Sequence, residues 1–127
     1  MKILDCTLRD GGYYTDWNFS KSLIDNYLTT VSKLPISIIE LGYLSSEEDQ
    51  NGQFYHLNRA LLSKAKAVLR KDQKLFAMIN FKEVRNKKHL EKLIEKKVNF
   101  LDGVRFAVAP KDLNKTISFL NPIIEKY

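Results

Sequence analysis

The feature that most constrains the fold is an alternation. Four apolar runs of strand length are each followed by a longer segment whose apolar residues recur at helical spacing. The first strand is predicted over about Lys2–Cys6. A long loop, Thr7–Asn18, then leads to Ser20, which is placed to cap a helix over about Lys21–Leu34. Leu23, Ile24, Tyr27, Leu28 and Val31 supply that helix's periodic apolar positions, and Pro35 ends it. The second strand, Ile36–Gly42, is nearly continuous in Ile38, Ile39 and Leu41 and is interrupted by Glu40. Further elements are predicted at Leu57–Leu69 (helix), Lys74–Phe81 (strand), Lys87–Lys97 (helix), Phe100–Ala107 (strand) and Asp112–Lys126 (helix). Asn121-Pro122 is expected to kink or shorten the last of these.

Strands separated by helices of this length are parallel, because a parallel pair needs a crossover connection. Two α/β architectures satisfy the pattern: an open doubly wound sheet, or part of a (β/α) barrel. No G-x-G-x-x-G follows any strand, which argues against a dinucleotide site. In both architectures functional groups gather where strands end and loops begin. Those positions hold Arg9 and Asp10, Glu40 and Gly42, Asn80, and Arg105. The first of them is the most informative. Ile3 to Gly12 runs from an apolar strand into a guanidinium, a carboxylate and two glycines, which brings an anion-binding group and a hard-metal ligand to one rim.

The chain has 127 residues, the length of a single domain, and no apolar run approaches the ~20 residues of a membrane span. Its start does not have the pattern of a signal peptide, and its one cysteine, Cys6, excludes an internal disulfide, so the expected compartment is the cytoplasm. Cys6 itself is expected to be a small buried residue rather than a reactive thiol. The net charge of +6 lies mostly in segments such as Lys82 to Lys97, where Lys alternates with Glu83, Glu91 and Glu95 as on a solvated face. No nucleic-acid motif accompanies it, so neither nucleic acid nor membrane is an expected partner.

Leu4-Asp5-Cys6-Thr7-Leu8-Arg9-Asp10-Gly11-Gly12 resembles the first-strand signature of the metal-dependent lyases and aldolases that include 3-hydroxy-3-methylglutaryl-CoA lyase, 2-isopropylmalate synthase and 4-hydroxy-2-oxovalerate aldolase, which share a pyruvate carboxyltransferase domain. Ile39-Glu40-Leu41-Gly42 resembles the second-strand motif of the same family, and Val104-Arg105-Phe106-Ala107-Val108 the fourth strand of its aldolase-like members. Gly12-Tyr13-Tyr14 with Trp17 and Phe19 is most similar to the group described as aldolase catalytic domain proteins. The resemblance implies a fold class: parallel β/α units forming the first four of a (β/α)8 TIM barrel. Such barrels need roughly 250 residues, so the chain is expected to be a half-barrel, the N-terminal part of a longer domain.

The resemblance also implies a chemistry. Asp10 would bind a divalent cation, Mg²⁺ or Mn²⁺, and Arg9 would donate to the carbonyl oxygen of a 2-oxo acid or acyl substrate as it becomes an enolate. Glu40 would hold or tune Arg9, and Arg105 would contact a substrate carboxylate. Blander readings stand beside each role. Arg9 and Asp10 can be a surface ion pair, Glu40 an interior salt bridge, and Arg105 part of an interior network. The family's His-x-His ligand pair has no counterpart, since His56 and His89 are isolated and fit surface or capping roles. Tyr13 and Tyr14 stand where some members carry a basic histidine; with Trp17 and Phe19 they either line a pocket or pack as an aromatic rim.

The metal site is therefore expected to be incomplete in this chain, and the fragment inactive alone. The alternative function is a non-catalytic half-barrel that binds an anionic metabolite or a protein partner through Arg9 and Arg105. Open edges on the first and fourth strands also make an edge-to-edge homodimer an expected partnership.

Overall fold

The four apolar runs pair into one parallel sheet of order β1-β2-β3-β4, in a computed structural model that describes residues 1–46, 51–95 and 97–125. The strands are β1 (Leu4–Asp5), β2 (Ile38–Tyr43), β3 (Lys74–Asn80) and β4 (Gly103–Ala107). A short helix α1 (Thr7–Gly11) follows β1, and α2 (Lys21–Lys33), α3 (Arg59–Val68), α4 (Lys87–Glu95) and α5 (Leu113–Ile124) follow as the long helices. Strand order equals chain order. A doubly wound sheet reverses its order at a switch point, so the arrangement is that of four consecutive β/α units as in half of a barrel.

Local chemistry sets the boundaries. The Ser20 hydroxyl accepts from Leu23 N at 3.3 Å and Asn58 Oδ1 from Leu61 N at 2.9 Å, capping α2 and α3. Asn86 Oδ1 accepts from His89 N at 2.9 Å at the start of α4. Each helix then buries one stripe: Ile24, Leu28 and Val31 in α2, Leu61, Leu62 and Ala65 in α3, Leu90, Leu93 and Ile94 in α4. Pro122 does not end α5 at once: the helix runs on through it to Ile124.

The larger departure is near the N-terminus. β1 is two residues long rather than five, and most of the expected Thr7–Asn18 loop is wound into α1 and a 3₁₀ turn, Gly12–Tyr14. Asp5 causes this. Its carboxylate accepts from Thr7 N at 3.1 Å and from the Thr7 hydroxyl at 3.0 Å, so the backbone turns instead of extending.

Register divides the sheet into two unlike faces. Ile39 and Leu41 of β2, Leu75, Ala77 and Ile79 of β3, and Val104 and Phe106 of β4 share one face, which the helices cover as the apolar core. Glu40 pairs across with Phe76, and Arg105 with Met78, on the opposite face. The near-continuous apolar reading of β2 thus conceals a strand with charge on one side. Beyond Glu40 the β2–β3 register shifts by one residue, and Tyr43 rather than Gly42 comes opposite Met78. There Tyr43 N donates to Phe54 O at 2.8 Å, and a Cβ on Gly42 would lie 2.1 Å from the same oxygen. The bulge tucks the Phe54–Leu57 segment under the C-terminal end of β2.

Candidate functional site

Arg9, on α1 just past β1, points back to β2. Its Nε donates to Glu40 Oε1 at 2.9 Å, while its Nη1 lies 2.5 Å from Asp10 Oδ1. Arg105 Nη1, reaching from β4, lies 3.1 Å from the other Glu40 oxygen, Oε2. All four charged residues singled out in the sequence therefore form one chain, Asp10–Arg9–Glu40–Arg105. Glu40 is its fully buried centre. The Arg105 contact compensates charge without hydrogen-bond alignment, and among the described residues Glu40 Oε2 has no hydrogen bond. Burying an unpaired carboxylate is costly, and two guanidiniums pair this one at 0% exposure.

Burial works against the charge on Arg9, but the neighbouring Tyr43 phenol and Glu40 carboxylate outweigh it and push its pKa above the ordinary arginine value. The guanidinium is a permanent cation, 13% exposed and fixed on two sides. Tyr43 lies over it, with the Arg9 Cζ 6.0 Å from the ring centroid. Burial and the Tyr13 hydroxyl, 3.1 Å away, push the Tyr43 phenol up to about 12 against the pull of Arg9, so it stays protonated at neutral pH. Asp10 is more open, 56% exposed, and its Oδ2 accepts from the Cys6 thiol at 3.1 Å. Cys6 is half-buried rather than buried; burial, followed by the Asp10 hydrogen bond, raises its pKa and keeps it a neutral thiol.

The aromatic residues divide by role. Trp17 is core: its ring lies 4.7 Å from Tyr55 and 5.9 Å from Tyr43, and its Nε1 donates to Arg9 O at 3.0 Å. This bond fixes the backbone of the arginine. Trp17 and Asp16 take left-handed φ values of 55° and 49°, held by Trp17 N donating to Gly12 O and Gly52 N to Asp16 O. Gly12 is required, because a Cβ there would lie 2.0 Å from the Trp17 ring. Phe19 packs on Phe54, Tyr14 is exposed, and Tyr13, though largely exposed, sets its ring edge-on to Trp17 at 4.7 Å besides its hydroxyl contact with Tyr43.

Tyr13 and Tyr43 form one wall of a cleft of about 300 Å³ at the C-terminal ends of the strands, closed by Asn80, Lys82 and Ala107–Ala109. Asn80, read from the sequence as a strand-end group, accepts from Lys82 N at 3.3 Å and donates to Glu83 Oε1 at 3.3 Å, which positions the turn after β3. Tyr43 and Lys82 were not singled out by sequence. Tyr43 carried a signal, three residues after Glu40 at the end of the same strand; Lys82 carried none.

The histidines are not ligands of this cluster. His89 Nδ1 accepts from Arg85 N at 3.2 Å, a capping role as expected. His56 lies more in the interior than expected. The Ser45 hydroxyl donates to Tyr55 O, so it accepts from His56 Nδ1, and His56 Nε2 is left buried without a partner among the described residues. No group of three or more His, Cys, Asp or Glu side chains is arranged to hold a metal among the described residues. Asp10 is a single carboxylate already paired with Arg9, so this donor set alone does not fit a divalent cation.

The chain is similar to the crystal structure of the N-terminal domain of a candidate aldolase from Bacteroides vulgatus, with a TM-score of 0.90 and 31% identity; the match covers 98% of this chain and 41% of that chain. The four β/α units are therefore the fold of that N-terminal domain, and the chain spans about two-fifths of its neighbour's length. No protein-family model and no curated protein matches it. Among the described residues, no helix is long and apolar enough to cross a membrane.

Proposed function

We propose that this chain is the N-terminal half of a carbon–carbon lyase of the aldolase type, of the metal-dependent family related to 3-hydroxy-3-methylglutaryl-CoA lyase, acting on 2-oxo acid or acyl substrates through an enolate. The observation that carries the reading is the orientation of Arg9. It is a permanent cation locked by Glu40 and Asp10 at the C-terminal end of a parallel sheet, in a fold shared with an aldolase N-terminal domain.

In a retro-aldol cleavage the 4-hydroxyl loses its proton to a base, and the bond between carbons 3 and 4 breaks to leave an aldehyde. Its electron pair becomes the carbon 2–carbon 3 double bond of the enolate, and negative charge collects on the 2-oxo oxygen. A fixed N–H donor aimed at that oxygen is worth about 3 kcal/mol of barrier. Arg9 supplies the donor, with no reorganisation required because Glu40 already sets its plane. The protonated Tyr43 phenol beside it adds a neutral donor. Glu40 acts through Arg9 and is a positioning residue, and Arg105 neutralises Glu40's second oxygen rather than reaching freely for substrate. Asp10 would supply one carboxylate to a Mn²⁺ or Mg²⁺ ion, a hard Lewis acid for the same oxygen, and further ligands would be needed from outside the described residues.

Paramagnetic broadening tests the assignment. With the ¹⁵N-labelled chain extended by the C-terminal half that would supply the remaining ligands, substoichiometric Mn²⁺ should broaden amides around Asp10 first, and Asp10→Ala should abolish this while the rest of the spectrum is unchanged. Broadening centred on other carboxylates, and indifferent to Asp10→Ala, would sink the metal-dependent reading.

A further inference from the structure

The strand-end cleft does not stop at Lys82. The same lysine lines a second, adjoining cleft of about 250 Å³ whose other walls are Phe81, Val84, Lys111, Asp112 and Lys115. Three lysines thus line one small concavity between the turn after β3 and the start of α5. Among the described residues none of them is in an ion pair. Lys115 has only the face of Phe119, 5.6 Å from its Nζ, and Lys87 approaches the same ring at 5.8 Å. Glu83, the nearest acidic residue in sequence to Lys82, is turned away, accepting from the Tyr55 hydroxyl and from Asn80. The one carboxylate in the cleft is Asp112.

Three cations against one anion leave a local charge of +2. Like charges gathered around one cleft without counter-ions cost stability, a cost that a bound anion would relieve. The complement to +2 in a cavity of this size is a compact dianion. A phosphate monoester carries about −1.5 to −2 at neutral pH and three strong acceptor oxygens. Lysines bind such a group as point charges, whereas a planar carboxylate is better matched by arginine.

We infer that the Lys82–Lys111–Lys115 cleft binds the phosphate of a phosphorylated organic ligand, whose carbon chain runs past Lys82 into the cleft walled by Tyr13 and Tyr43. The inference rests on the proposed lyase reading only in naming that ligand as the substrate. It narrows the substrate class to 2-oxo acids, or their aldehyde partners, that carry a terminal phosphate.

The test uses the ¹⁵N-labelled chain without added metal, at constant ionic strength, titrated separately with glycerol 3-phosphate, inorganic phosphate and acetate. Saturable millimolar shifts are expected at the amides of Lys82 and residues 111–115 with both phosphates, tighter with the ester, and absent with acetate. The double variant Lys111→Ala/Lys115→Ala, whose side chains are exposed, should keep the native spectrum and weaken the ester roughly tenfold. Shifts spread along the lysines of α4, equal shifts with acetate, binding of inorganic phosphate but not the ester, or unchanged affinity in the double variant would each overturn the site. Because no metal enters this titration, a phosphate site that survives alongside failed Mn²⁺ broadening counts against the lyase reading alone. The reverse result counts against the phosphate site alone.

Discussion

The strand-end rim has two sides that use charge in opposite ways. On the β1–β2 side, with Arg105 reaching across from β4, the charges of the cluster are spent within the protein. Asp10 is on Arg9, Arg9 is on Glu40, and the second oxygen of Glu40 is met by Arg105. On the β3–β4 side Lys82, Lys111 and Lys115 stand around a cleft without partners among the described residues. The first arrangement fixes the position of a cation to within a hydrogen bond and gives up its long-range field. The second keeps the field and gives the side chains no charged partner among the described residues. Chemistry on a developing oxyanion needs the former, because the donor must be in place before the charge appears. Capturing a group that arrives already charged needs only the latter.

The comparison is broken most directly at Glu40. Glu40→Gln keeps the shape but leaves two guanidiniums facing a neutral amide, one of them 13% exposed. Removing one partner of a buried pair costs 3–5 kcal/mol, and the half-exposed Arg105 places this case at about 3 kcal/mol. Urea unfolding should show that loss as a lower midpoint with unchanged slope. A loss under about 0.5 kcal/mol, the size of an ordinary surface change, would mean that the β1–β2 side is no more committed than its neighbour.

A second break tests whether packing or charge places Arg9. Gly12→Ala directs a methyl into the Trp17 ring, 2.0 Å from its nearest carbon, and the Trp17 indole is what holds the Arg9 carbonyl. Overpacking of this kind costs about 1–3 kcal/mol. Trp17 is the single tryptophan, so its displacement reads out as a red-shifted emission at native conditions. Unshifted emission would show that Arg9 is held from the Glu40 side alone.

The two sides also differed in how readable they were. Arg9, Asp10 and Glu40 stand next to sharp local signals, an apolar strand ending in charge and then glycines, and a carboxylate inside an apolar strand. Their meeting follows from parallel neighbours with a common register, so four β/α units and the charged cluster could be read from the chain. Lys82 and Lys115 are 33 positions apart in a chain with 21 basic residues, and nothing local sets them apart from lysines on a solvated helix. Only the loops after β3 and β4 bring them together. The winding of residues 7–14 was missed for a related reason. It depends on the Asp5 carboxylate leaving the strand pattern to cap a turn, a choice between two uses of one side chain that periodicity does not register.

A control for the whole contrast lies at the other end of the sheet, where lysines are paired. Asp102, just before β4, accepts from Leu75 N at 2.9 Å and from Lys66 Nζ, with Lys74 Nζ at 3.6 Å. Its partial burial acts to raise its pKa, but the Lys66 bond and the Leu75 amide prevail, and the folded value lies below the ordinary aspartate value. A depressed folded pKa gives stability that is complete above the unfolded value, near ~4, and that is lost as pH falls through the folded one. Wild-type stability should therefore fall with acid from roughly pH 5 downward, and Asp102→Asn should flatten that slope when urea midpoints are compared across the range. Lys111→Ala/Lys115→Ala should leave the slope as it is and move the midpoint by no more than about 0.5 kcal/mol, because those ammoniums have no carboxylate partner to lose. An acid slope that changes in the lysine variant would reveal a hidden ion pair in the cleft and remove the excess positive charge on which its phosphate selectivity depends.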